Sequence, residues 1–271
     1  MYHFMFDGFQ GHRSRLDDIL LMHETLERLP KCLGIETTMP PIVTPYYNGF
    51  EPEDCGLSGF VFLPGGHFTL HTFSMRETIF ADILTLTDFN PDAAESVILN
   101  SFPCSQHVTF LESRNKCSSY QSATRAIDET KDFGPHLLIK YPFNDSTPTM
   151  DWLFSIMDAL PAAIGMTPIM RPYILSNTLK DGESVLSCIT MIAESHIATH
   201  VYSTKQTVYF DIFSCKFFEY ATVLDHIDKL FQSSPTDHVL ISRGKQYTEL
   251  KSKACDRHNS YGNWRKYCIQ D

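Results

Sequence analysis

The sequence lacks a membrane segment. Its opening, MYHFMFDGFQGHRSR, has no basic stretch followed by a long apolar run, and no later run approaches the roughly 18 apolar residues of a bilayer span. A cytoplasmic protein with no membrane partner is the expectation. Paired cysteines are missing too: Cys32, Cys55, Cys104, Cys117, Cys188, Cys215, Cys255 and Cys268 contain no CxxC motif, which fits neither a small disulfide scaffold nor a structural zinc site. Basic residues are few, with 22 Lys plus Arg against 32 Asp plus Glu. The formal charge of -10 disfavours phosphate backbones and anionic lipid, so no nucleic-acid partner is expected. What is present, 43% hydrophobic and 20% charged residues over 271 positions, suffices for a folded core.

The chain repeats itself. Residues 66–86, GHFTLHTFSMRETIFADILTL, lie without a gap over residues 195–215, SHIATHVYSTKQTVYFDIFSC. Identical pairs are His67 with His196, His71 with His200, Ser74 with Ser203, Thr78 with Thr207, Asp82 with Asp211 and Ile83 with Ile212. The same offset pairs Ser58 with Ser187 and Phe89 with Phe218. With small shifts, HFMF at His3 matches HLLI at His136, and LPKCLGIETTMPP at Leu29 matches LPAAIGMTPIMRP at Leu160. This internal duplication divides the chain into repeat one at 1–112, a polar linker at 113–133 with room for a helical turn, repeat two at 134–245, and a basic polar tail at 246–271.

Within each repeat, HFTLHTF and HIATHVY alternate as strands do, TIFADIL and TVYFDIF are β-branched and aromatic, and SGFVFLP and SCITMIA are apolar strand-like runs. LDDILLMHETLERL, MDWLFSIMDAL and ATVLDHIDKLFQ space their apolar residues as helices covering one sheet face. Each repeat is then a two-layer unit with a bare apolar sheet face, and two units bury those faces against each other. The expected fold class is α+β: duplicated two-layer α/β units in an α/β/β/α four-layer sandwich with antiparallel-rich sheets.

Two constellations carry chemistry. The first is the HxxxH pair in each repeat. On a strand, residues four apart share a face but lie about 13 Å apart, too far to chelate one ion between them, so no metal is expected there. These histidines are then structural, or one is functional and one structural. The second is the contrast between copies: Ser195 and Cys215 stand where repeat one has Gly66 and Leu86. One copy carries two nucleophiles that can face each other across a hairpin, unless the difference is drift at core positions.

Glu194-Ser195-His196, then His200, then Phe213-Ser214-Cys215, resembles the ESHxxxH and FTC signature of the prokaryotic, pyruvoyl-dependent S-adenosylmethionine decarboxylases, here as a tandem duplication. The family's serine eight residues upstream is matched by Ser187 and, in GLSG, by Ser58. GPHLLI at Gly134 and SRG at Ser242 resemble its opening and closing segments.

The resemblance implies self-processing. The Ser195 hydroxyl would attack the Glu194 carbonyl, and the resulting ester would break down to leave a pyruvoyl group in place of Ser195. This covalent, self-generated cofactor forms a Schiff base with a substrate amine and accepts the electrons released with CO2. Cys215 matches the family's proton donor, and His200 or its equivalent His71 would move protons during cleavage, with Ser58 and Ser187 as accessory processing serines. Ser195 and His200 are an odd number apart and face opposite ways on a regular strand, so a bulge or the other repeat must supply the base. In the family the active centre is composite, and repeat one keeps Ser58 and His71 while lacking the other two groups. The pattern implies an intramolecular pseudo-dimer with one working site, its cleaved fragments held together, and further homo-oligomerisation left open.

One departure concerns the substrate. The family's ribose-holding glutamate, four residues after the histidine, is Met75 in repeat one and Thr204 in repeat two. Glu77, on the same strand face as Met75 if the strand continues, is the available carboxylate. The leading expectation is a small amine-bearing substrate, S-adenosylmethionine on the route to spermidine. The alternatives are ornithine or arginine on the same scaffold, or a non-cleaving regulatory pseudo-enzyme.

Overall fold

The computed structural model describes residues 1–47, 55–114, 128–143 and 148–245. Residues 115–127 of the expected linker and the whole C-terminal tail, 246–271, fall outside these residues. Repeat one begins with β1 (Tyr2–Gly11), followed by α1 (Arg13–Leu16), α2 (Ile19–Cys32), β2 (Ile42–Tyr46), β3 (Gly56–Leu63), β4 (Gly66–Phe73), β5 (Thr78–Thr85), α3 (Pro91–Ser101) and β6 (Cys104–Ser113). Repeat two runs β7 (Gly134–Pro142), α4 (Met150–Ala163), β8 (Tyr173–Thr178), β9 (Ser184–Ile192), β10 (Ser195–Tyr202), β11 (Thr207–Ser214), α5 (Tyr220–Phe231) and β12 (Asp237–Arg243).

Each repeat makes one six-stranded sheet. The orders β2-β3-β4-β5-β1-β6 and β8-β9-β10-β11-β7-β12 are the same topology, and all strand pairs are antiparallel. Helices α2 and α3 cover the first sheet and α4 and α5 the second, giving the four-layer α/β/β/α sandwich.

Two local results differ from the sequence expectation. The helix expected from Leu16 is split, because the Asp18 side chain accepts the Leu21 N–H at 3.0 Å and starts α2 afresh. The inter-sheet faces are also not uniformly apolar. Alternation in β4 and β5 sends Phe68, Leu70, Ile79, Ala81 and Ile83 toward the helices, and His67, His71 and Asp82 between the sheets. Repeat two does likewise: the Thr199 hydroxyl contacts Met157 of α4, whereas His196 and His200 meet histidines of the other sheet. Apolar packing between the sheets surrounds this polar layer: Phe60, Phe62 and Tyr173 stack on one flank, Phe80 meets Phe213 at one end, and Met5 packs on Leu138 and Ile241.

Candidate active site

Strands β9 and β10 are joined by the two-residue turn Ala193–Glu194, with Ile192 paired to Ser195. The turn is pinned to the segment before β8: Ala193 N–H donates to the Thr167 carbonyl at 2.8 Å, and the Glu194 carboxylate accepts the Thr167 N–H at 3.1 Å. Ser195 is fully buried at φ 152°, a backbone conformation that costs a non-glycine residue about 1–3 kcal/mol. Its hydroxyl has no hydrogen-bond partner among the described residues. The carbonyl of Glu194, one bond before it, accepts the backbone N–H of Cys215 at 3.0 Å, because the register sets Ser195 opposite Ser214. A donor on that oxygen polarises the carbonyl and would stabilise negative charge developing on it.

Repeat one supplies the neighbouring histidine. His71 Nδ1 lies 2.9 Å from the Ser58 hydroxyl, and His71 Nε2 lies 2.8 Å from Nδ1 of His196, the residue after Ser195. Burial pushes His71 well below 6.5, so it is neutral at pH 7. Around Cys215 gather Phe9, Phe73, Phe80, Phe133 and Phe213. Phe133, just before β7, reaches 4.2 Å from the Phe80 ring centroid, with Arg76 over its other face.

The pseudo-symmetric end is built from the same parts and closed. His200 joins Ser187 at 2.8 Å and His67 at 2.9 Å. Gly66 occupies the place of Ser195, and a Cβ there would lie 1.9 Å from the Leu84 carbonyl oxygen. The Gly65 carbonyl, counterpart of Glu194, accepts the Tyr202 hydroxyl at 2.5 Å; the counterpart of Tyr202 is Phe73, which has no hydroxyl. Leu86 stands where Cys215 would be and lines a cleft of about 620 Å³ with Thr87, Leu179 and Lys180, remote from Ser195.

Thus Glu194, Ser195 and Cys215 lie together, Ser58 and His71 reach the same end through His196, and His200 and Ser187 belong to the opposite end. Met75 and Glu77 do not share a strand face. Strand β4 stops at Phe73, Ser74–Arg76 form a 3-10 turn, and Glu77 closes it at φ 53°. The Met75 sulfur contacts Arg13. Glu77 is buried with Oε2 unpartnered among the described residues, at the same end as Phe73.

Sequence reasoning missed the charged centre between the sheets. Arg243, fully buried, donates from Nε to Asp7 at 2.6 Å and from Nη1 to Asp82 at 2.6 Å and His136 Nδ1 at 2.9 Å. Burial raises Asp82 to about 7 against the pull of Arg243. The signal was present: Asp82 and Asp211 are an identical pair, and Arg114 and Arg243 stand at the same offset.

A sequence model of S-adenosylmethionine decarboxylase matches residues 2–115 and 148–244, well over half of the chain. A search of curated proteins gave no match. Among solved structures, the chain is similar to the adenosylmethionine decarboxylase from Aquifex aeolicus VF5, at 17% identity and TM-score 0.37 over 44% of this chain and 93% of that one. It is also similar to an unknown protein from Galdieria sulphuraria, at 10% identity and TM-score 0.21 over 89% of this chain and 96% of that one. With the family's motifs in repeat two and its fold built twice, the chain belongs to the S-adenosylmethionine decarboxylase family as a tandem duplication.

Proposed function

We propose that the chain is a self-cleaving, pyruvoyl-dependent decarboxylase acting on S-adenosylmethionine in spermidine formation. The observation that carries this is the state of Ser195: strained, buried and unpartnered, directly after a carbonyl already holding the Cys215 amide proton. In cleavage, the Ser195 hydroxyl loses its proton and its oxygen attacks the Glu194 carbonyl carbon. The negative charge settles on the oxygen that faces the Cys215 N–H. The hydrogen-bonded Ser58–His71 pair, with His196 on the second His71 nitrogen, relays the proton from the hydroxyl to the Ser195 nitrogen as the peptide bond breaks. The ester then eliminates to a dehydroalanine that hydrolyses to the ketone, releasing ammonia.

The pyruvoyl group, once made, supplies a carbonyl that binds a substrate amine and accepts the electrons left by CO2. Ser195 sits where such a group would be kept from bulk water, and the chain's own residues do the rest. The Cys215 thiol, in the bend just past the end of β11, donates the quenching proton. The phenylalanine cluster beside it suits a substrate with an aromatic ring or a sulfonium charge. Glu77, with one unpartnered oxygen, offers an acceptor for substrate hydroxyls in place of the carboxylate missing at Met75.

The test is the intact mass of the purified protein. The 31.0 kDa chain is expected as two fragments of about 22 and 9 kDa, the smaller opening with a ketone in place of Ser195. Ser195→Ala is expected to remain full-length. A wild-type protein that stays uncleaved under all conditions gives a regulatory pseudo-enzyme. Cleaved protein that turns over ornithine or arginine and not S-adenosylmethionine would replace the substrate while leaving the cofactor in place.

A further inference from the structure

We propose that the inter-sheet layer binds one divalent transition-metal ion of the zinc class through His67 Nε2, His196 Nε2 and Asp211 Oδ2. The three side chains, from β4, β10 and β11, are fully buried, and their ligand atoms all lie within 4.8 Å of one another. Asp211 Oδ2 is 3.9 Å from His67 Nε2 and 3.2 Å from His196 Nε2. None of the three atoms has a hydrogen-bond partner among the described residues. Such separations are long for charged hydrogen bonds, but they bracket the roughly 3.3 Å edge of a tetrahedron with bonds of about 2.0–2.1 Å. Strand spacing forbids chelation by the HxxxH pair within one repeat; the duplication instead sets one histidine of each pair against its counterpart.

The outer contacts fit as well. Metal-bound histidines donate their second ring N–H to a neighbour. Here the second nitrogens are engaged, His67 Nδ1 with His200 at 2.9 Å and His196 Nδ1 with His71 at 2.8 Å. A metal on both Nε2 atoms leaves both protons on Nδ1. His200 and His71 then accept at Nε2 and carry their own protons on Nδ1 toward Ser187 and Ser58, so both chains of hydrogen bonds remain satisfied. His136 Nδ1 accepts from Arg243, so its Nε2 bears a proton and is not a ligand; at 3.8 Å it makes no hydrogen bond to Asp211 Oδ2, which leaves the fourth position to water.

The pseudo-twofold supplies the independent argument. Asp82 is the counterpart of Asp211, and the cluster around it, His3, Asp82 and His136, is already closed by Arg243, which holds Asp82 Oδ1 and His136 Nδ1. Arg114, the counterpart of Arg243, instead spends Nη2 on the carbonyls of Ile139 at 2.6 Å and Phe210 at 3.2 Å. Both oxygens of Asp211 are left without a donor among the described residues, a costly state for a buried carboxylate. A cation is therefore called for at Asp211, and two neutral imidazoles with one carboxylate select zinc-class ions over magnesium or calcium, which prefer all-oxygen shells.

The inference does not depend on the decarboxylase reading, and its test reads metal and not turnover. Full-length protein is stripped with a chelator, loaded with Zn²⁺ or Co²⁺, dialysed, and assayed by elemental analysis and visible absorption. The expected result is one equivalent per chain, with cobalt bands of a tetrahedral nitrogen and oxygen shell and no thiolate charge-transfer band. His67→Gln and Asp211→Asn are expected to bind at least tenfold more weakly, whereas His107→Gln, which alters an exposed histidine, binds as wild type. If the two interior variants fail to fold, the wild-type cobalt spectrum still decides. Less than a tenth of an equivalent in wild type, retention in both folded variants, or a thiolate band would overturn the proposal.

Discussion

The base for Ser195 must be a histidine that is neutral near pH 7, and burial keeps both His71 and His200 well below the ordinary 6.5. Position separates them. His71 stacks at 5.0 Å on His196, next to Ser195, while His200 stacks at 5.2 Å on His67, next to Gly66. His71→Ala is therefore expected to slow self-cleavage by about a hundredfold or more, the usual scale for losing a general base, and His200→Ala to cost stability with cleavage retained. Mass spectrometry of freshly folded protein over time makes the comparison, and the opposite ranking would put the base inside repeat two. The odd spacing from Ser195 to His200 left a bulge or the other repeat to supply a base, and the structure sets His200 beside Ser187 and His67 at the opposite end. The Cys215 amide on the Glu194 carbonyl was not, because a backbone donor leaves no residue-type signal. Nor was the contact of Arg243 with Asp7, two residues joined only by stacking of the two sheets.

Each hairpin from β3 to β4 and from β9 to β10 turns in two residues, and the first residue of the outgoing strand decides the chemistry. In β4 that residue is Gly66, whose missing side chain lets the Leu84 carbonyl approach. In β10 it is Ser195, and the backbone rotates to φ 152° to seat a side chain. The strain thus belongs to one copy of an otherwise shared hairpin. Gly66→Ala is expected to destabilise by about 2 kcal/mol or more, since the new Cβ meets backbone and not a yielding side chain. Gly34→Ala is the control: its φ of 70° is unfavourable for alanine, but no atom within 4 Å obstructs it, and about 1 kcal/mol is expected. Urea unfolding of both reads the difference, and equal losses would mean that β4 relaxes freely. Strand and helix identities were legible because the apolar period changes cleanly between them. The turn after β4 was not, because its 3-10 geometry and the left-handed Glu77 interrupt a run that reads as continuous strand.

At the scale of the molecule, joining two sheets through polar faces makes stability a function of pH. Six interior histidines, His3, His67, His71, His136, His196 and His200, are held below 6.5 by burial, His67 to about 4 and His196 to about 3. Between those lowered values and 6.5 the unfolded chain binds their protons and the folded chain does not, so they lower stability as pH falls. Asp7, Asp82 and Asp211 act in the opposite sense. Burial raises them, Asp82 to about 7, so between 3.8 and those values the folded chain holds protons that the unfolded chain releases. Arg114 and Arg243 stay charged throughout. Six histidines take up protons on unfolding and three aspartates release them, so the histidines outweigh the aspartates and stability falls as pH drops below 6.5. Since a typical domain holds only about 5–15 kcal/mol, acid unfolding is expected to begin below 6.5, ahead of the titration of ordinary surface carboxylates. Urea midpoints measured from pH 8 to pH 4 in the presence of EDTA, to keep metal linkage out, should be level above about pH 7.5 and fall steeply below 6.5. A level curve down to pH 4.5 would mean that the histidines carry charge in the folded protein, and the neutral relays that join Ser58 to His196 and Ser187 to His67 would have to be redrawn.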